Sequence, residues 1–285
     1  LTGNISPIGA RYKSITDLTV GLVHTVEYTA ADGLPIEGVL TWPPEAKTTE
    51  RLPLIVFPHG GPASHDTITY DFMAQYMARL GYLVFQPNFR GSTGYGDAFM
   101  RAGDGEWGRK MQTDLSDGIK ALAERGWADP DRVCIAGYSY GGYAALAGIA
   151  FQPDTYKCAI AGMGVSDLNQ MMTYEKETTR AYSWVVDYWK RVIANDESNR
   201  TRLSSASPVN AVDQIKAPLL MIHGDKDTVV DIEQSEIMLR AMQKAGKDAR
   251  LVVLKDARHS FAHEHHRIQA LEEMGKFLTQ HLPVE

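Results

Sequence analysis

The sequence predicts a doubly wound α/β fold, and three observations carry that prediction. Short solid apolar runs, such as Leu54-Ile55-Val56-Phe57 and Leu219-Leu220-Met221-Ile222, alternate with segments of helical spacing. Solid rather than alternating runs mean strands covered on both faces, as parallel strands between two helical layers are. Composition agrees, because 44% hydrophobic and 22% charged residues over 285 positions is an ordinary globular mixture. No internal repeat, low-complexity tract or Gly/Ser linker interrupts the alternation.

Each element follows from its local pattern. Val23 to Tyr28 and Ile36 to Trp42 read as strands on either side of the turn Ala31-Asp32-Gly33, so the sheet starts antiparallel. The run Leu54 to Phe57 is a buried strand stopped by Pro58-His59-Gly60-Gly61-Pro62. Phe72 to Leu80 has helical spacing, and Tyr82-Leu83-Val84-Phe85 is the next strand. Met111 to Glu124 reads as a helix, with Leu115, Ile119 and Leu122 on one side and Asp114 and Asp117 on the other. Val133 to Gly137 is a strand, Tyr143 to Ala150 a small-residue helix and Lys157 to Ala161 a further strand. Leu219 to Ile222, Ile232 to Lys244, Arg250 to Leu254 and Ile268 to His281 read as strand, helix, strand and helix. About eight strands in roughly 260 residues make one domain rather than two. We therefore expect a linker or remnant of an upstream domain over residues 1–20 and one α/β domain over 21–285. The stretch 165–212 breaks the rhythm. It is rich in aromatics, has no clear strand, and reads as a helical excursion that roofs a pocket or packs on the sheet edge.

Several classes are excluded early. Lys and Arg number 29 against 35 Asp and Glu, a formal charge of −6, so the basic face that nucleic acid requires is missing. No run approaches the roughly 18 apolar residues of a membrane-spanning helix. Two cysteines cannot build the framework of a small secreted scaffold. Cys134 and Cys158 fall on successive expected strands; a bridge between them is conceivable, but two buried free thiols are the expectation. The chain begins at Leu1 rather than Met, so the compartment stays open, with the cytoplasm favoured over export.

The strongest chemical signal is Gly137-Tyr138-Ser139-Tyr140-Gly141, a G-x-S-x-G motif directly after a strand and directly before a helix. In that context a serine sits on a tight turn with its hydroxyl lifted above the sheet, and the helix N-terminus aims its positive end at the site. A serine hydroxyl is a weak nucleophile without a base, and the base needs an orienting carboxylate. In this architecture the acid follows a late strand and the histidine the last one. His223-Gly224-Asp225-Lys226-Asp227 offers two acids, Asp225 and Asp227, and position alone does not choose between them. His259 lies in the loop after the last strand. His263 and His266 have a spacing that suggests a metal pair, but without a third ligand nearby a solvated helix start is expected, and no metal or other cofactor is called for. His59 and His223 each end a strand at the active edge and are expected to make structural hydrogen bonds. Oxyanion donors are expected at the backbone N–H of Tyr140 and in the His59-Gly60-Gly61-Pro62 loop, where we assign Gly61 with Gly60 as competitor. Gly91-Ser92-Thr93-Gly94-Tyr95-Gly96 lacks the order of a phosphate-binding loop and reads as a loop crossing near the active edge. Tyr182, Trp184 and Trp189 are candidates for an apolar substrate pocket.

Taken in order, His59-Gly60-Gly61-Pro62, Asn88 to Gly96, Gly137 to Gly142 and His223 to Asp227 resemble the prolyl oligopeptidase family of serine peptidases, in its acylaminoacyl-peptidase and dipeptidyl-peptidase branch. The resemblance spans about residues 20 to 283. It implies the α/β-hydrolase fold and a triad of Ser139, Asp227 and His259, choosing Asp227 as the second Asp of HG-x-x-D. It also supports Gly61 and Tyr140 as oxyanion donors and implies cleavage of short peptides through an acyl-enzyme on Ser139. Two positions depart from the pattern: Val229 stands where many relatives hold Arg or Asn against a substrate carbonyl, and Val229-Val230-Asp231 replaces a common Val-Pro. The family places a β-propeller before the hydrolase; the start at Leu1 and the segments Leu1 to Asn4 and Ser14 to Leu18 lead us to expect a catalytic portion of a longer protein.

The expected function is therefore serine hydrolysis of short peptides. The alternative is a carboxylesterase acting on small acyl esters, which demand less precise positioning. A non-catalytic binding module is disfavoured because every triad position is filled. The expected partners are a short peptide or acyl substrate and an upstream propeller; self-association into a homo-oligomer is left open, and neither nucleic acid nor membrane is expected.

Overall fold

The computed structural model describes residues 18–46, 51–179, 184–194 and 200–284. Its centre is one eight-stranded sheet ordered β1-β2-β4-β3-β5-β6-β7-β8. The strands are β1 (Val23–Thr29), β2 (Pro35–Thr41), β3 (Leu52–Val56), β4 (Leu83–Pro87), β5 (Ala128–Tyr138), β6 (Cys158–Gly162), β7 (Leu219–Gly224) and β8 (Ala249–Leu254). β1 and β2 pair antiparallel, β2 joins β4 antiparallel, and every later pairing is parallel. This is the α/β-hydrolase architecture with the antiparallel start that the Ala31-Asp32-Gly33 turn predicts.

Period-two burial explains the solid apolar runs. Leu54 and Val56 face one core with Leu83, Phe85, Val133 and Ile135, while Ile55 and Val84 face the other with Cys134, Ala136 and Ile160. The first core is covered by α3 (Lys110–Glu124), α4 (Tyr140–Phe151) and α8 (Glu233–Lys244), the second by α1 (Phe72–Arg79) and α9 (Glu264–His281). The apolar side of α3, with Met111, Leu115, Ile119 and Leu122, is buried as its spacing predicts. α1 starts where Asp71 accepts hydrogen bonds from the Met73 and Ala74 N–H groups, which satisfies two of the orphan donors of its first turn. The excursion after β6 is helical as expected, with α5 (Leu168–Thr179), α6 (Trp184–Ala194) and α7 (Arg200–Ser205), then a 3-10 segment over Pro208–Gln214. The short α2 (Asp97–Arg101) has no sequence signal, since it buries no residue and its stripe is absent. Among the described residues no helix is long and apolar enough to cross a membrane.

The loop after β4 is locked from below. Arg90 donates to both carboxylate oxygens of buried Asp114, at 2.7 and 2.8 Å, and to Asp32 at 2.9 and 3.0 Å. Removing one partner of such a buried pair costs about 3–5 kcal/mol, because the other charge is left uncompensated. Asn88 ties the same loop to the one after β3, accepting from the Asp66 N–H and donating to the Asp66 carbonyl.

Two sequence expectations are corrected here. Cys134 and Cys158 are not free thiols but form a disulfide. The reason is register: they are direct partners across β5 and β6, so their side chains leave the sheet on the same face from Cα atoms 4.8 Å apart. His266 does not sit on a solvated helix start; it is 2% exposed and donates from Nε2 to the Lys255 carbonyl.

Titration of denatured, unreduced protein should find no free thiol, and two after reduction; thiols before reduction would contradict the bridge. A second expectation concerns Asp66. Burial and the nearby Asp71 charge push its carboxyl up to about 7, against a hydrogen bond from Gln86, and its Oδ2 has no partner. The folded chain thus holds this proton longer than the unfolded one, whose carboxyl titrates near about 4, and stability falls as pH rises between those values. Asp66→Asn should melt a few degrees above wild type at pH 8 and level with it at pH 4. Equal differences at both values would refute the titration.

Candidate active site

The site lies at the carboxyl ends of the parallel strands. β5 ends at Tyr138 and α4 begins at Tyr140, so Ser139 alone makes the turn, with φ 57° and ψ −120°. A non-glycine residue with positive φ is strained by about 1–3 kcal/mol unless its surroundings hold it. Here the Ser139 N–H donates to the Gly162 carbonyl at 2.9 Å, and the Tyr143 N–H donates to the Ser139 carbonyl at 3.0 Å. The turn closes only because its flanks are glycines. A Cβ on Gly137 would stand 2.4 Å from the Gly141 oxygen, and one on Gly141 would stand 2.2 Å from the Pro58 oxygen. That second approach brings the loop after β3 onto the elbow.

The two acids after β7 have different jobs. Asp227 Oδ2 lies 2.7 Å from His259 Nδ1, while its Oδ1 accepts the N–H groups of Val229 at 2.9 Å and Val230 at 3.0 Å. Asp225 instead accepts the Asp256 N–H at 2.6 Å and so ties the loop after β8 to the loop after β7. Burial opposes the charge of Asp227, but hydrogen bonds from His223, His259 and the Val230 backbone outweigh it and hold the carboxyl well below the usual range. His223 is fully buried and settles the loop, donating from Nε2 to the Val230 carbonyl at 2.9 Å and accepting from the Ser235 hydroxyl at 2.7 Å. Bonding of His259 Nδ1 to a carboxylate fixes the tautomer with Nε2 unprotonated and open.

Around the elbow, Gly60 packs on Ser139: its built Cβ would lie 3.4 Å from the serine Cβ. No hydrogen bond among the described residues uses the N–H of Gly61 or of Tyr140. The loop Gly91 to Gly96 does cross beside this edge, with the Thr93 N–H on the Ser64 carbonyl and Ser92 against His59. Of the proposed pocket aromatics, Tyr182 lies outside the described residues, and Trp184 is 78% exposed. Trp189 packs edge-on to Trp107, which in turn meets the Tyr140 ring at 4.6 Å. Trp107 was not foreseen, because it stands in an aperiodic loop; its lone aromatic before the α3 pattern was the available signal. Val229 is 54% exposed with its N–H spent on Asp227. His263 precedes α9, its ring near those of His265 and His266, yet no three His, Cys, Asp or Glu side chains converge as a metal site among the described residues.

A family model described as the prolyl oligopeptidase family matches residues 68–285. Dipeptidyl aminopeptidase BIII of Pseudoxanthomonas mexicana is 34% identical over 252 residues, 83% of this chain and 35% of the relative. Among solved structures, a Mycobacterium tuberculosis puromycin-hydrolyzing peptidase superposes with a TM-score of 0.85 at 28% identity, over 93% of this chain and 40% of that one. The Pyrococcus horikoshii acylaminoacyl peptidase gives 0.83 at 27% identity, over 94% and 43%. The chain spans 35% to 41% of the length of the first three curated relatives.

Proposed function

The chain belongs to the prolyl oligopeptidase family, and from that premise we propose that it carries the hydrolytic chemistry of a serine peptidase acting on short peptides. The observation that carries the reading is the 2.7 Å bond from His259 to Asp227, made by loops after the last two strands, at the same sheet edge as the strained Ser139. His259 takes the Ser139 proton as the hydroxyl oxygen attacks the substrate carbonyl, then returns it to the leaving amine. Asp227 keeps the imidazole in the required tautomer and stabilises the imidazolium. The free N–H groups of Gly61 and Tyr140 receive the oxyanion, and water activated by His259 releases the acyl group. Trp107 is buried against Tyr140 at the start of the nucleophile's helix, and the half-buried Trp189 packs edge-on to it. For the whole protein, the proposal includes the β-propeller of the resembled family as the device that limits substrate size.

Val229 favours a second reading. With no side-chain donor there and its N–H already committed, one anchor for a peptide carbonyl is missing, and small acyl esters need it least. A panel of peptide amides and acyl esters with free and blocked amino ends separates the two. Amide turnover supports the peptidase, and ester turnover alone supports the carboxylesterase.

Ser139→Ala should lower kcat by about three to six powers of ten, since triad members act as a unit. Asp227→Asn should cost about four powers of ten and Asp225→Asn within about tenfold. Unchanged turnover in the first variant, or a larger loss for Asp225→Asn than for Asp227→Asn, would contradict the assignment. Because Asp227 stays ionised far into acid, its own protonation should set no limb of the kcat/KM profile in the ordinary carboxylate range, and a limb there that vanished in Asp227→Asn would contradict this.

A further inference from the structure

We propose that Phe261 is a positioning residue for acyl transfer: its ring, packed against Tyr138, registers the His259 loop on the strand that carries Ser139. The inference rests on the hydrolytic reading above and concerns how the base is brought to the nucleophile.

The three groups of the triad stand on loops from different strands. Ser139 follows β5, Asp227 follows β7 and His259 follows β8. In the order β5-β6-β7-β8, acid and base come from neighbouring strands, while the serine stands two strands from the acid and three from the base. The hydrogen bonds of the His259 loop run toward the acid or toward α9. His259 Nδ1 lies 2.7 Å from Asp227, the Asp256 N–H donates to Asp225 at 2.6 Å, and the Lys226 N–H donates to the Ala257 carbonyl at 2.9 Å. From α9, Arg267 donates to the Phe261 and Ala262 carbonyls at 2.9 and 2.8 Å, and His266 donates to the Lys255 carbonyl at 2.9 Å. These bonds orient the imidazole and hold the loop to β7 and α9. None of them sets its distance from β5.

Phe261 makes that connection. Its ring meets Tyr138 edge to face, with centroids 4.6 Å apart and planes at 86°. Such a pair is directional, because the positive edge of one ring seeks the negative face of the other. Tyr138 is the last residue of β5 and directly precedes Ser139. Its ring lies on bare glycine backbone: a Cβ built on Gly162 would stand 2.0 Å from two of the ring carbons. The same Gly162 accepts the Ser139 N–H through its carbonyl. Phe57, just after β3, packs edge-on to Tyr138 at 6.4 Å, and the Tyr138 hydroxyl donates to Met274 Sδ at 3.0 Å. The ring is therefore fixed in the frame that fixes the nucleophile. On the other side, the Ser260 N–H donates to the Arg258 carbonyl at 2.7 Å, which closes a three-residue turn around His259. With that turn closed and Phe261 one residue beyond it, the Phe261 ring and the imidazole move together. Proton transfer needs donor and acceptor at hydrogen-bond distance, and a misplacement of about 1 Å costs about a hundredfold.

The test uses the intact protein with Phe261→Ala, Phe261→Leu and Phe261→Tyr, each alone and combined with His259→Ala. The substrate is a 4-nitrophenyl acyl ester, whose good leaving group keeps the residual rate measurable. Phe261→Ala should lower kcat by about 10- to 100-fold with KM within a few-fold. Phe261→Tyr keeps the ring and should recover most of that loss, and leucine, apolar but without a ring edge, should fall between. In the His259→Ala background, Phe261→Ala should change the residual kcat by less than about twofold, since a residue that acts through the imidazole has nothing left to act on. A merely structural role would lower kcat in both backgrounds alike. A fluorophosphonate reads the same coupling without turnover: Ser139 Oγ bonds to phosphorus, fluoride leaves with the P–F bonding pair, and the hydroxyl proton passes to His259. Its rate should fall in parallel with kcat while a product peptide binds as before. Wild-type kcat in Phe261→Ala, a Tyr variant as poor as the Ala variant, or equal losses in the two backgrounds overturns the proposal and leaves the serine mechanism intact. Turnover unchanged in Ser139→Ala removes the hydrolytic reading and this one with it. Should Phe261→Ala fail to fold on thermal melting, Phe261→Leu in the two backgrounds decides the matter in the same way.

Discussion

Backbone meets backbone where β5 turns into α4, and the rest of the molecule depends on that contact. The Gly141 backbone lies against the Pro58 carbonyl and the Ser139 N–H against the Gly162 carbonyl, so the ends of β3, β5 and β6 converge with no side chain between them. Their parallel register sets where the nucleophile stands; a slip of one residue would exchange the two cores and carry Ser139 off the edge. The disulfide between Cys134 and Cys158 joins two of these strands a few residues below the turn. Strain at Ser139 persists because the surrounding sheet determines it from several directions at once.

Charge at the site follows the same logic of crowding. Asp227 is buried, and an isolated buried carboxylate would neutralise itself. It stays ionised because two backbone N–H groups and two imidazoles surround it, and one of those imidazoles, His223, also bonds the carbonyl of Val230 whose N–H is among the donors. Donors that stabilise the anion are therefore themselves held by the loop they help to shape.

Much of this was legible in the chain. All eight strands were expected, because a strand buried on both faces leaves a solid apolar run that neighbouring residues alone reveal. Boundaries were less exact: β5 starts at Ala128, before its apolar run at Val133, since pairing with Leu52 on β3 extends it. α4 starts at Tyr140 rather than Tyr143, since the turn at Ser139 leads straight into it. The elbow and its flanking glycines were readable because motif and turn are local.

Sequence by itself determined the alternation of elements, the elbow, and the loops in which an acid and a histidine had to lie, since each is a property of adjacent residues. Tertiary structure alone decided which distant groups meet. It joined two cysteines expected to be free, drew His266 inward and left Trp184 in solvent, and it bonded His259 to Asp227, the acid that position alone could not choose and that only the motif resemblance favoured. These outcomes depend on strand register and on loop approach, across separations that run from 11 residues between Lys255 and His266 through 24 between the two cysteines to 32 between Asp227 and His259, and no local pattern encodes them.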